Sequence, residues 1–232
     1  MQVSLIIPTY NEEKTIGKLL SHLEKYGDDR LIEIIVVDGG SNDRTVEIVQ
    51  ENNARCLVSE QKGRAAQMNT GVQYSSGNLL YFVHADSFPP TTFLDDLSVA
   101  VKNGYRAGCY RFRFDSDRFL LKVNSWFTRF DRIMCRGGDQ TLFITRNLFE
   151  KIGGFRDDFL IMEDYDLIQK IQREAHFKII PKDVVVSARK YDKNQYLKVN
   201  FANLVVFMMY FFGARQQTMV SAYKNLIYHP KF

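Results

Sequence analysis

The stretch Leu79-Leu80-Tyr81-Phe82-Val83-His84-Ala85-Asp86-Ser87 decides the fold. Its first five residues are an apolar run of strand length, and a carboxylate follows just beyond the end of the run. An acid in that place is poor for packing and well suited to hold a hard cation, since Mg2+ and Mn2+ prefer oxygen ligands and share them with substrate phosphates. Alone the pattern is weak, because many strands end in Asp. Its weight comes from a second acidic strand end upstream, Asp38 after Ile34-Ile35-Val36-Val37. Two acidic strand ends in a βαβα chain point to a nucleotide-phosphate site.

Working outward, Val3–Ile7 and Ile32–Val37 are β-branched runs of the kind that fully buried parallel strands need. Between them Ile16, Leu19, Leu20 and Leu23 recur at helical spacing, with Asn11 expected as the N-cap and Glu12 and Glu13 in the first turn. A short helix is expected over Thr45–Asn53, capped by Asn42 or Asp43. A strand follows over Arg55–Ser59, and then a helix marked by Ala65, Met68 and Val72. This is a doubly wound α/β sheet, in which ligands bind beyond the carboxyl ends of the strands. Further on, Tyr110, Phe112 and Phe114 alternate with charged residues as in a half-exposed strand. Phe119, Leu120, Val123, Phe127 and Phe130 form a helical stripe. Gln140–Thr145, Phe177–Ile180 and Val184–Ser187 read as strands, and Glu163–Arg173 as a helix.

The segment Tyr196–Phe212 is strongly apolar but interrupted by Lys198, Asn200 and Asn203. Its uninterrupted core, Leu204–Phe212, is far short of the roughly 20 residues needed to span a bilayer. A helix packed on the domain and a helix in peripheral membrane contact both fit, and an oligomer contact is a third use. The expected division is therefore a catalytic domain over 1–191 and a helical extension over 192–232.

Composition narrows the classes. The 232 residues are 45% hydrophobic and 25% charged, enough for a sizeable core. The net charge of +4 fits an anionic small substrate or a membrane surface and falls short of a nucleic-acid signature. Cys56, Cys109 and Cys135 show no C-x-x-C spacing, so free thiols in a reducing compartment are expected. The N-terminus runs directly into a strand, which argues for the cytoplasm, with the inner face of a membrane as a peripheral location.

Four further segments carry chemistry, each with a plainer reading beside it. Pro8-Thr9-Tyr10-Asn11-Glu12-Glu13 opens where a ligand pocket would lie, and reads equally as a turn with dipole-compensating acids. In Asp38-Gly39-Gly40-Ser41 the glycines permit close backbone approach and Asp38 can accept hydrogen bonds from a base or ribose; a βα turn is the alternative. Lys62-Gly63-Arg64 puts two cations at a glycine loop opening a helix, an anion site or a solvated basic loop. Glu163-Asp164 begins a helix after the turn at Gly153-Gly154, as a general base or as dipole compensation. Arg189 can cover a diphosphate or belong to a surface turn, and His84 can assist at the metal or only orient Asp86. Gly138-Asp139-Gln140 can line an acceptor pocket or form a strand-entry turn.

Taken in order, PTYNEE, DGGSNDRT, GRAAQMNTG, HADS, GGF and MEDYDL resemble the motif series of family 2 glycosyltransferases with the GT-A fold. The similarity is greatest to a bacterial subgroup carrying HADS where other members carry Asp-x-Asp. The resemblance implies a mixed sheet flanked by helices and inverting transfer from a UDP- or GDP-linked sugar to an acceptor hydroxyl, lipid-linked acceptors included. It implies that Pro8, Tyr10, Glu12 and Asp38 surround the nucleoside and that Arg64 lies near the diphosphate. Asp86 would hold Mn2+ or Mg2+, and Asp164 would act as base. His84 replaces the first acid of the metal motif. Two rivals stand beside it: a nucleotidyltransferase, which would place a glycine-rich basic loop where Pro8–Glu13 lies, and a non-catalytic sugar-nucleotide sensor or membrane-associated assembly factor.

Overall fold

The computed structural model describes residues 1–52, 54–61, 63–136 and 140–228. The first half alternates β1 (Val3–Thr9), α1 (Ile16–Tyr26), β2 (Leu31–Asp38), α2 (Thr45–Glu51), β3 (Arg55–Val58), α3 (Arg64–Gln73) and β4 (Leu79–Phe82). Then come β5 (Ser87–Phe88), α4 (Phe93–Lys102), β6 (Ala107–Phe114), α5 (Phe119–Phe127), β7 (Leu142–Thr145) and α6 (Arg146–Lys151). The chain continues through α7 (Glu163–Glu174), β8 (Phe177–Val186), α8 (Tyr196–Phe211) and α9 (Gln216–Leu226).

The strands make one mixed sheet in the order β3-β2-β1-β4-β7-β6-β8-β5. β1 to β4 are parallel, β7 runs against both neighbours, β8 is parallel to β6, and β5 is antiparallel to β8. As a result the carboxyl ends of β1, β2, β4, β6 and β8 open on one edge, which is where ligands bind in such sheets. Leu19, Leu23, Phe93 and Leu97 cover one face, and Met68, Leu167 and Ile171 the other. Gly71 lets α3 lie directly on β1, since a Cβ there would come within 2.4 Å of Ile6 Cγ2. α3 and α7 therefore bring their amino ends to the edge where the strands end.

Several local expectations are corrected. Asn11 is not the cap of α1: it sits in a left-handed conformation at φ 54°, and the helix starts only at Ile16, with no acid in its first turn. The reason is cross-lacing of two loops. Asn11 N–H donates to Ser41 Oγ at 2.8 Å, Asn11 Oδ1 accepts from Asn42 N–H at 2.9 Å, and Glu12 N–H donates to Thr45 Oγ1 at 2.8 Å. Neither Asn42 nor Asp43 holds the cap position of α2, which is Arg44; Asp43, one residue earlier, accepts the Thr45 N–H at 3.0 Å. The two strands expected over 177–187 are one strand, β8, with a register irregularity opposite Tyr110 and Arg111. α5 ends at Phe127, and Phe130 lies in the following turn. Gly138 and Asp139 of the suggested acceptor pocket, Lys62 of the basic loop, and Asn53 at the end of the expected α2 lie outside the described residues.

The C-terminal segment forms two helices, because Gly213 at φ 73° ends α8 and lets α9 turn back. They build a third core from Val199, Ala202, Val206, Met219 and Tyr223 against Ile161 and Met162. Among the described residues no helix is long and apolar enough to cross a membrane.

Candidate active site

Asp86 leaves the sheet edge between β4 and β5, and the tiny strand β5 determines what it meets. Ser87 pairs with Val186 of β8, and the Asp86 carbonyl accepts the Ser187 N–H at 3.2 Å. Two residues on, Arg189 Nη2 reaches Asp86 Oδ2 at 2.9 Å. The same guanidinium grips Glu12 as a fork, Nη1 donating to Oε2 at 2.7 Å and Nη2 to Oε1. Glu12 is 1% exposed and is also bonded by Thr15 Oγ1 at 2.9 Å. Three strand ends thus deliver two carboxylates onto one cationic nitrogen. Burial works against the charge on Arg189, and its bonds to Glu12 and Asp86 more than offset this, so its pKa lies above the ordinary arginine value.

Asp38, buried at the end of β2, is already engaged by its own loop. Its Oδ2 accepts Gly40 N–H and Ser41 N–H, both at 2.8 Å, and Oδ1 accepts the Ser41 hydroxyl. With Thr9 Oγ1 at 3.4 Å these bonds occupy its acceptor positions. Asp38 therefore shapes the turn that closes over the end of β2. Gln67, which the sequence did not single out, joins the strand ends: its Nε2 donates to Thr9 O and Val37 O at 2.7 Å each. A polar residue amid the buried stripe Ala65, Met68 and Val72 was the available signal. Pro8 is buried in β1 beyond the last paired residue of β4, so its missing N–H leaves no gap in that ladder. Tyr10 is half-buried at the rim.

On the other side, Arg64 opens α3 and its Nε lies 2.7 Å from Glu163 Oε1 at the start of α7. Glu163 is 1% exposed, whereas Asp164 beside it is half-buried. Asp164 lines a water-sized cavity with Cys109, Gln140, Thr141, Leu142 and Ile168. Burial pushes the Cys109 thiol up to about 11, which leaves it an inert neighbour. Met162, immediately before this pair of acids, is left-handed at φ 68°. Such a conformation is costly for an ordinary residue and persists only where surroundings impose it. Here the imposition comes from the extension: Met162 packs in the α8–α9 core, and Gln216 Oε1 of α9 accepts the Leu160 and Ile161 N–H groups at 3.1 Å.

The sheet edge therefore gathers Glu12, Asp38, Asp86 and Arg189. Arg64 joins the second acidic pair, Glu163 and Asp164, at the amino end of α7. His84 is half-buried, its carbonyl accepting the Ser87 N–H at 3.0 Å. Among the described residues no cluster of three or more His, Cys, Asp or Glu forms a ready metal cage. The donors nonetheless suit a hard cation, because Glu12 and Asp86 present carboxylate oxygens to a single positive atom.

The profile of glycosyl transferase family 2 matches residues 4–160. A probable glycosyltransferase of Bacillus subtilis, YdaM, is 29% identical over 210 residues, covering 78% of this chain and 49% of that protein. The chain thus spans about half the length of that curated relative. Among solved structures, residues 1–349 of Staphylococcus aureus TarS with UDP-GlcNAc align at a TM-score of 0.65 with 20% identity, over 89% of this chain and 65% of that one. The mannosyltransferase PcManGT of Pyrobaculum calidifontis, with GDP-Man and Mn2+, aligns at 0.65 with 21% identity, over 97% and 69%. At those identities the two structures establish the shared fold.

Proposed function

The chain belongs to glycosyl transferase family 2, and on that premise we propose that it transfers a sugar, with inversion, from a nucleoside-diphosphate sugar to an acceptor hydroxyl. The observation that carries this reading is the convergence of Glu12 and Asp86 on Arg189 at the edge where the strands end. The neighbours' UDP-GlcNAc and GDP-Man make UDP- and GDP-linked sugars the first donors to try.

In this reading Pro8, Tyr10 and Glu12 border the nucleoside, and Asp38 holds the loop that closes on it. Asp86 would hold Mn2+ or Mg2+, and His84, two residues earlier in the chain, would assist it. The ion supplies Lewis-acid neutralisation of the leaving diphosphate. Asp164 accepts the proton of the acceptor hydroxyl. The freed oxygen forms its bond to the anomeric carbon from the face opposite the diphosphate, and the old carbon–oxygen bond breaks with its electron pair leaving on the diphosphate. Arg189 and Arg64 stabilise that charge, one from the Glu12 side and one from the Glu163 side. Glu163 is buried and held by Arg64, which leaves Asp164 as the reachable acid of the pair. Residues 1–191 form the transferase unit, and 192–232 brace the loop that carries Asp164. The free thiols fit a cytoplasmic location.

Thermal unfolding with nucleoside diphosphates, with and without Mn2+, tests the reading, since a ligand of the native state raises its stability by mass action. One nucleoside diphosphate is expected to stabilise the protein, more so with Mn2+. Asp86→Ala should abolish the Mn2+ increment while leaving the unliganded fold intact. No stabilisation by any nucleoside diphosphate would count against the proposal.

A further inference from the structure

Helix α8 is apolar on two sides. Val199, Ala202 and Val206 face the core it shares with α9, while Leu197, Phe201, Leu204, Met208 and Phe211 are exposed. The exposed set recurs at i, i+4, i+7, i+11 and i+14, so it forms one continuous stripe along the helix. Exposed apolar surface of that extent marks a contact. Beside it lies α5, joined through Tyr196 Oη to Asn124 Oδ1 at 2.6 Å and Asn124 Nδ2 to Asn200 Oδ1 at 3.3 Å. α5 exposes Phe119, Leu120, Trp126 and Phe127, and Arg129 lies 4.8 Å over the Trp126 ring.

Charge identifies the occupant. Residues 192–232 carry five basic side chains and one acid, Asp192, whereas residues 1–191 carry 26 basic and 26 acidic ones. The whole net charge of +4 thus resides in the extension that also bears the stripe. Lys193 and Lys198 flank the start of α8. A second copy of this chain would bring two such positive surfaces together. An anionic bilayer complements both features, taking the apolar side chains into the acyl boundary and the lysines onto the headgroups.

We propose that the exposed faces of α5 and α8 form one platform that docks on an anionic phospholipid bilayer, with the sheet edge turned toward it. The orientation follows from the chain path. α5 leaves β6 and α8 leaves β8 at the same edge as Asp86, and Arg118 clamps them by donating to Tyr191 O and Asp192 Oδ1 at 3.0 Å each. Tyr191 is two residues from Arg189. The acceptor presented to this edge is an amphiphile carrying its hydroxyl at the bilayer surface. That last step rests on the transferase reading; docking does not.

Trp126 is the sole tryptophan, so its emission reports burial of α5 without a label. With vesicles of phosphatidylcholine and phosphatidylglycerol in equal parts, the full chain should co-sediment at low salt and its emission should shift to the blue. Pure phosphatidylcholine should bind it far less. Phe201→Glu with Leu204→Glu should lower the bound fraction about ten-fold or more, and Lys193→Gln with Lys198→Gln by about five-fold per lysine on the anionic vesicles only. Both variants alter exposed side chains and should keep the wild-type unfolding temperature. Wild-type protein left in the supernatant with unshifted emission overturns the proposal. So does equal binding to both vesicles, or a dimer by light scattering that Phe201→Glu with Leu204→Glu converts to monomer. A wild-type chain that docks yet is stabilised by no nucleoside diphosphate would instead remove the transferase reading and leave docking standing.

Discussion

Two buried glutamates, Glu12 and Glu163, are built alike at opposite sides of the site. Each is 1% exposed, each follows a residue forced into the left-handed region (Asn11 and Met162), and each is held by one arginine at the rim. These are the two non-glycine residues at positive φ among those described. The pairs differ in what surrounds them. Arg189 is shared between Glu12 and Asp86, whereas the carboxylate beside Glu163, Asp164, is half-buried and lines the cavity with Gln140 and Thr141. One side concentrates carboxylates around a cation, and the proposed function brings the leaving diphosphate and its metal there. The other leaves a carboxylate at a cavity, where the proposed function brings the acceptor hydroxyl. The same device, a left-handed residue followed by a buried, ion-paired glutamate, thus recurs in two different surroundings.

The largest expected effect separates the two sides by chemistry. Asp164→Asn is nearly isosteric and cannot take a proton, so it should keep donor affinity and lose transfer. Proton abstraction by a positioned side chain contributes about 10²–10⁴-fold, and the loss should fall in that range. Product formation at saturating donor, with donor affinity measured in parallel, is the check. Glu163→Gln should cost far less turnover, because Glu163 is enclosed with Arg64. Wild-type turnover in Asp164→Asn would dissolve the distinction between the sides.

Much of one side is legible in the sequence. The β-branched runs make β1 and β2 recognisable and the apolar run 79–83 makes β4 so, and the acids Asp38 and Asp86 follow at the ends of β2 and β4. The Glu12–Arg189 pair was not legible, since 177 residues separate its members. The Asp86–Arg189 contact is equally hidden, because β5, which ties Asp86 to the end of β8, is two residues long and has no hydrophobic period to read. Asn11 reads as a cap because Asn favours both caps and left-handed turns, and only the cross-lacing with Ser41 and Asn42 decides between them. Met162 gave no signal at all: its conformation is imposed by α8 and α9, and α9 lay beyond the apolar run that marked the extension.

A smaller effect sharpens the comparison through stability. Breaking a fully buried pair from one side costs about 3–5 kcal/mol, and partial exposure of both arginines lowers that to about 2 kcal/mol here. Arg189→Met leaves two facing carboxylates and Arg64→Met leaves one, so the first should unfold at the lower temperature. Mn2+ without nucleotide should then restore Arg189→Met and leave Arg64→Met unmoved, because only the first exposes Glu12 and Asp86 to a cation. Equal responses of the two variants to Mn2+ would show that the two sides are electrostatically the same.

The smallest effect concerns Asp38, which belongs to the cation side by position and not by contact. Its carboxylate accepts Gly40 N–H, Ser41 N–H and the Ser41 hydroxyl, and its bonds run to the loop and not to Arg189. Removing it frees loop donors at the rim, where water can satisfy part of what is lost. Asp38→Ala should therefore weaken free nucleoside and nucleoside diphosphate by the same amount, about 1–1.5 kcal/mol, as expected for a hydrogen-bonded group that shapes a pocket. Mn2+ dependence should be unchanged, since Asp86 and Glu12 are untouched. Calorimetry with nucleoside, nucleoside diphosphate and nucleoside diphosphate with Mn2+ gives the three affinities. A loss confined to the diphosphate would move Asp38 into the cation cluster, and the division between a nucleoside loop and a carboxylate pair on Arg189 would have to be redrawn.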